Sequence, residues 1–330
     1  MAFWIALVYR GARVGGTREM ATCLREQALP HFPCDFPDTS AGRECNDEQK
    51  RTAGDKHEKY PPAKRPNYDK LGVASPFSGD WERLVNEWDG DIGRLQSETE
   101  NFISSGNPEE TKASEESRIS VSDENSINRV EETPLGSCEM VASSSSPTSF
   151  YVIRSRSILR RLQHISQLLD HAVCSKRTSS AKDDAFDSDD GFLRSHLGIC
   201  ARSLIGLDLR LLSKGCPLMN AVIFAPTAED LRRLNEDKSY GGPVESPRKS
   251  PGETGAECGA LIGGCTRRAI GYVTSGQYSF ARGHGAAVGF CAFPGFCELI
   301  FVARRAKCRP LVLVRNTTSF QYRFASFAIL

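Results

Sequence analysis

Residues 266–293, TRRAIGYVTSGQYSFARGHGAAVGFCAF, and residues 310–330, PLVLVRNTTSFQYRFASFAIL, decide the fold. Ala269–Thr274, Ala286–Phe290 and Leu311–Val314 are apolar and rich in valine, isoleucine and leucine, and Gln321–Ile329 alternates more clearly between polar and apolar. β-branched and aromatic residues fit a pleated, half-buried surface, so each stretch predicts a strand pair with glycine turns. Together they predict a small antiparallel barrel or sandwich. Gly283, Gly285 and Gly289 come near a dinucleotide-binding fingerprint. Their spacing is G-x-G-x-x-x-G, and no strand–helix unit surrounds it, so it does not read as a nucleotide site.

Upstream, Leu204–Leu212 and Asn220–Pro226 read as two apolar strands joined by the turn Ser213–Pro217. The helix TAEDLRRLNED follows, with Thr227 as N-cap and Glu229 and Asp230 in the first turn, where the helix dipole favours acids. Residues 239–262 and 174–191 read as loops, the latter flexible. Phe150–Ile153 predicts a short strand, and Ser157–His171 a helix with Ile158, Leu162, Ile165 and Leu169 on one face. Arg154, Arg156, Arg160 and Arg161 cluster at the junction of strand and helix. Four guanidiniums in eight residues repel one another unless an anion is near, and arginine grips phosphate in a bidentate fashion. The alternative is a row of solvated arginines on an outer face.

Residues 91–149 change character: Ser, Glu, Asp and Asn dominate and large apolar residues are few. Such a segment cannot bury enough surface to offset the entropy of ordering it, and reads as a disordered acidic insertion. Residues 1–90 read as structured. Ala2–Tyr9 is an unbroken apolar run that predicts a buried strand, with Arg10 and Arg13 directly after it. A helix is expected near Thr17–Gln27, then an extended loop over 31–42 pinned by Phe32 and Phe36, then a charged solvated helix over Cys45–Tyr60. Trp81, Leu84, Val85 and Trp88 share one face of a further helix. Between them lies Pro61–Gly72, PPAKRPNYDKLG. Its prolines stiffen the backbone towards an extended form. Lys64, Arg65 and Lys70 project from it, with Tyr60 and Tyr68 supplying flat rings. Extended backbone, cations and aromatics suit a phosphate backbone with unpaired bases, though a nuclear import signal or a plain surface strap uses the same letters.

The chain has a formal net charge of only +1, but the charge is segregated. Residues 1–90 carry a net of −1, residues 91–150 a net of −8 and residues 151–330 a net of +10. The basic excess of the C-terminal part could face a polyanion or be an ordinary basic surface. The twelve cysteines are scattered without a C-x-x-C pair, which fits neither a zinc finger nor a disulfide scaffold. No metal site, catalytic triad, paired carboxylates or phosphate loop is patterned in the chain. No apolar run is long enough to cross a bilayer.

Residues 1–16, MAFWIALVYRGARVGG, with 32–42, FPCDFPDTSAG, and 61–72, PPAKRPNYDKLG, resemble the central region of the largest protein subunit of eukaryotic nuclear RNase P and RNase MRP, the processing-of-precursors family with its POPLD domain. The resemblance covers about three quarters of the chain. It implies an α+β protein of mixed sheets with a C-terminal antiparallel β-barrel. Residues 1–90 would be a POPLD-like region incomplete at its N-terminus, 91–149 the insertion, and 150–330 the C-terminal domain. Met1 would be an internal methionine of the family. GYVTSGQYSFARGHGAAVGF also resembles the barrel of the glycine-cleavage T protein, a folate-binding aminomethyltransferase. The first resemblance implies a non-catalytic RNA-binding scaffold for RNase P RNA and RNase MRP RNA, packed against other protein subunits and meeting precursor tRNA indirectly. The work would be 5′-leader removal from precursor tRNA and precursor rRNA processing, in the nucleus and nucleolus and away from membranes. It implies no protein-bound cofactor, since Mg²⁺ would sit on the RNA. The RNA contacts would then be Arg10, Arg13, Lys64, Arg65, Tyr68, Lys70, Arg154, Arg156, Arg160 and Arg161. A folate-dependent one-carbon enzyme and a non-functional fragment are the alternatives.

Overall fold

The structure is a computed structural model that describes residues 15–27, 29–97, 150–174, 181–246 and 266–330. The expected strand Ala2–Tyr9, most of the acidic insertion and residues 247–265 lie outside the described residues. The helices α1 (Thr17–Glu26), α2 (Ser40–Lys59), α3 (Tyr68–Leu71) and α4 (Trp81–Gly90) come first. They are followed by β1 (Tyr151–Val152), α5 (Arg156–Cys174), α6 (Ala181–Ile199), β2 (Ser203–Leu211), β3 (Val222–Phe224) and α7 (Ala228–Glu236). The chain ends with β4 (Ala269–Ser279), β5 (His284–Ala292), α8 (Phe293–Ala306), β6 (Val312–Arg315) and β7 (Arg323–Ile329).

Six antiparallel strands close into a barrel in the order β2-β5-β4-β3-β6-β7, with β7 returning to β2. Closure removes the sheet edges that would otherwise template aggregation. β2 does this by dividing one side between two partners: Ser203 and Leu204 pair in parallel with β1, and Leu207–Leu211 pair with β7. The expected strand pairs form, but the second turns through Asn316–Gln321, which holds no glycine. β2 and β3 follow one another without pairing, since β2 lies between β5 and β7 and β3 between β4 and β6. Two glycines serve this geometry. Gly283 takes φ 72° in the β4–β5 turn. A Cβ on Gly271 would stand 2.0 Å from the Phe290 carbonyl oxygen of the adjacent strand. The near-fingerprint glycines thus shape a hairpin.

The sequence reading left α8 unassigned. Its apolar residues Phe296, Leu299, Ile300 and Ala303 follow helical spacing and are fully buried, Pro294 sits in the first turn, and Arg304 and Arg305 close the last. The helix packs on β2, β4 and β5 and is itself surrounded by α4, α5, α6 and α7. Being buried on most sides, it shows little amphipathic contrast, and its apolar run blends with the strands around it.

Three loop expectations are corrected. Residues 181–191, read as a loop, are the first turns of α6, which Leu193 and Leu197 anchor in the core while Asp190 pairs with Arg304 of α8. Residues 91–97, read as the start of the disordered insertion, continue the folded part: Leu95 is buried, and Arg94 meets Glu298 at 3.0 Å. In the 31–42 segment Phe32 is 61% exposed, so it does not pin the chain. Asp35 does, buried and accepting from the His31 N–H at 2.7 Å. Thr39 then caps α2, which begins earlier than expected.

Other elements match their expectation. Thr227 and Asp230 form a reciprocal capping box on α7. Leu162, Ile165 and Leu169 of α5 are buried with Ile158 packed beside them. Trp81, Leu84, Val85 and Trp88 are all buried, so α4 lays its apolar face on β4 and β5. Each such side chain contributes roughly 1.5–3 kcal/mol by leaving water.

Candidate nucleic-acid interface

Arg10 and Arg13 fall outside the described residues. The other eight candidates fall into two groups, one from the end of α2 through α3 and one around the start of α5.

The 61–72 segment is less extended than its prolines suggest. Pro62–Lys64 form a 3₁₀ turn and Tyr68–Leu71 a short helix capped by Asn67, with extended backbone at Pro61, Arg65 and Asn67. Proline favours the first turn of a helix as readily as an extended strand, and here the caps decide. Lys64 and Lys70 are exposed. Arg65 folds back on its own chain, donating to the Tyr60 carbonyl at 2.7 Å and to the Glu58 carbonyl, where it closes the C-terminal end of α2. Tyr68 is not an open ring: it packs against His57 at 5.4 Å and Phe77 at 5.5 Å, and burial raises its phenol pKa. Tyr60 is the exposed aromatic of this segment.

The arginine cluster divides in two. Arg154 makes a bidentate pair with Asp38, at 2.6 and 2.8 Å, and the same carboxylate accepts from the Val152 N–H at 3.1 Å. Burial pushes the Asp38 pKa up, but the Arg154 guanidinium and the Val152 N–H outweigh it and hold the carboxyl below its ordinary value. Arg161 meets the buried Asp189 at 2.5 Å. Arg154 ties the β1–α5 connection to the loop before α2 and Arg161 ties α5 to α6, so two of the four clustered arginines are engaged by carboxylates of the chain itself. Arg156 and Arg160 are exposed in the first two turns of α5, with no carboxylate partner among the described residues. The first turn of α5 contains no acid. Two cations therefore add to the positive end of a helix dipole, the arrangement that most favours an anion from solution.

The sequence reading passed over the β4–β5 turn, where Phe280 and Tyr278 are exposed. The signal for it was present: a phenylalanine inside a tight turn, Ser279-Phe280-Ala281-Arg282-Gly283, where no core can reach it. Among the described residues no group of three His, Cys, Asp or Glu side chains is placed to hold a metal ion, and no helix is long and apolar enough to cross a membrane.

Two family models match the chain. The POPLD (NUC188) domain covers residues 1–81 and the POP1 C-terminal domain covers 203–258 and 251–330, together more than half of the chain. The human Ribonucleases P/MRP protein subunit POP1 is 31% identical in an alignment that takes in all of this chain and 39% of the human protein. The chain belongs to the POP1 family. The Schizosaccharomyces pombe Ribonucleases P/MRP protein subunit pop1 is 38% identical over 87 residues, 24% of this chain and 12% of that protein. The chain thus spans about two fifths of the human relative. Within the POP1 family frame, the POPLD match ends at Trp81, the first residue of α4, and the C-terminal match opens at Ser203, the first residue of β2. Lys64, Arg65, Tyr68 and Lys70 fall inside the POPLD match. The arginines of 154–161 fall between the two matches, in the part that joins POPLD to the barrel.

Proposed function

We propose that this chain is a non-catalytic, RNA-binding scaffold part of the RNase P and RNase MRP ribonucleoproteins. It holds the shape of the RNA through phosphate contacts and packs against other protein subunits. The RNA, with its own Mg²⁺, cuts the 5′ leader from precursor tRNA or cuts precursor rRNA, and the chain works in the nucleus and nucleolus. The observation that carries the reading is the pair Arg156 and Arg160, exposed at the positive end of α5 with no carboxylate partner among the described residues. Lys64 and Lys70 are a second exposed cationic spot. The family membership supplies the RNA in question.

The test is recovery of the tagged chain from cell extract followed by sequencing of the RNA that comes with it. RNase P or RNase MRP RNA is the expected yield, with binding that weakens steeply as salt rises. A particle without either RNA, or a micromolar folate complex by calorimetry with no RNA affinity, would overturn the proposal.

A further inference from the structure

The β4–β5 hairpin ends in a turn that holds an aromatic ring out in water. Phe280 is 89% exposed, and its ring lies edge-on to Tyr278, itself 42% exposed, at 5.4 Å. The turn is firmly built. The Gly283 N–H donates to the Ser279 carbonyl at 2.8 Å, the Arg282 N–H to Ser279 Oγ at 3.1 Å, and the Tyr278 hydroxyl to the Gly283 carbonyl at 2.9 Å. A large apolar side chain held in solvent by an ordered turn forgoes the burial that would stabilise it, and with Tyr278 it forms an exposed aromatic pair.

The surroundings say what kind of contact. Arg210 and Arg282 both converge on the buried Asp208, at 3.0 and 3.2 Å. Ser279 Oγ donates to Glu26 of α1. On the other side, the carbonyl of Gly215 lies 2.5 Å from where a Cβ on Gly285 would stand, and Gly285 pairs with Tyr278. That places Lys214 and Arg323, which are joined by a hydrogen bond, next to the hairpin. At this end of the hairpin four cations, Arg210, Lys214, Arg282 and Arg323, thus stand against two carboxylates, Asp208 and Glu26. An exposed aromatic face rimmed by net positive charge suits a strand of unpaired nucleotides: every base has a face to stack, and every nucleotide brings a phosphate.

We propose that this hairpin tip is a stacking site for an unpaired RNA base, with Phe280 supplying the ring and the exposed Lys214 the nearest cation without a carboxylate partner among the described residues, available to an adjoining phosphate. The site rests on the RNA-binding reading above and adds a place where RNA must be single-stranded. It differs from the α5 end, which offers charge alone and takes paired or unpaired RNA alike.

The test uses the full chain and two probes, an oligouridylate and a fully paired RNA duplex, with affinity read by fluorescence anisotropy across a salt series. Phe280→Ala is expected to weaken oligouridylate binding by about 5- to 100-fold. It should leave duplex affinity, the salt slope and the unfolding midpoint unchanged, while Phe280→Trp retains binding. If the wild-type chain binds oligouridylate and Phe280→Ala binds it equally well, the stacking site is refuted and the RNA-binding reading stands. If Phe280→Leu matches wild type, the contact is merely apolar and the tip is a knob for a protein pocket, which also refutes it. If the wild-type chain binds neither probe, the RNA-binding reading itself falls and takes this site with it.

Discussion

The guanidinium carbon of Arg268 lies 3.4 Å from the centre of the Trp88 ring. Arg268 directly precedes β4, and Trp88 sits on α4, just beyond the POPLD match. The contact is reinforced by Trp88 Nε1, which donates to the Ala269 carbonyl at 3.0 Å, and by Glu298 of α8, which meets Arg268 at 3.2 Å. Helix and barrel therefore share one core, and a stacked cation seals its rim. Burial draws the Arg268 pKa down, partly offset by Glu298 and Asp91.

Trp88→Ala should cost about 3–5 kcal/mol, since it empties a fully buried site and strands the Ala269 carbonyl. Trp88→Phe keeps most of the volume, loses the hydrogen bond, and should cost about 1–2 kcal/mol. Denaturant unfolding of the full chain reads both. A wild-type midpoint for Trp88→Ala would mean that the α4 region and the barrel unfold independently.

Asp38 and Arg154 give the fold an acid-sensitive joint. The folded pKa of Asp38 lies below its unfolded value of about 3.9. Its contribution is thus fully present above that value and is lost as pH falls through the folded pKa. Asp38→Asn should lower stability at pH 7 by about 1 kcal/mol, because Arg154 is half exposed and the pair is partly screened. The gap between variant and wild type should close as pH is lowered from 5 to 2. A gap that stays constant would assign the effect to packing in place of charge.

Much of this fold was legible in short-range pattern. The alternation of Gln321–Ile329, the capping box at Thr227 and the apolar face of Trp81–Trp88 are local signals, and each element formed where its residues placed it. What the sequence hid is pairing at a distance. Nothing near Arg154 or Arg161 announces that Asp38 and Asp189 will take them, and nothing near Tyr68 announces Phe77. Of the candidate site, the type of residue was readable and its freedom was not. Arg156 and Arg160 differ from their neighbours only in what the folded chain brings beside them.

That division is measurable. Arg156→Ala with Arg160→Ala should leave the unfolding midpoint within about 0.5 kcal/mol, as befits exposed surface positions. The same double variant should reduce the slope of log affinity for RNA against log salt by about two. Arg154→Ala with Arg161→Ala should do the reverse, lowering stability and changing the salt slope little. An unchanged slope for the first double variant would remove the α5 end from the interface.

The thiols offer a last probe of how tightly the barrel and its helices close. Burial drives the Cys291 and Cys297 thiols well above the ordinary range, and Cys45 is pushed up to about 12 by burial and by its neighbour Cys34. At pH 8 a thiol of that pKa is ionised in about one part in ten thousand, and the thiolate is the reactive form. Cys23 is exposed. Among the described cysteines, alkylation at pH 8, mapped by mass spectrometry, should mark Cys23 first and leave Cys291 and Cys297 unmodified until denaturant is added. Because these thiols hold their protons in the folded state, the stability tied to them is present at neutral pH and lost as pH rises past the unfolded value of about 8.5. Stability should therefore fall above about pH 9, and Cys291→Ser, whose hydroxyl does not ionise there, should flatten that part of the curve. Rapid native labelling of Cys291 or Cys297 would show that α8 opens from the barrel on the timescale of the reagent.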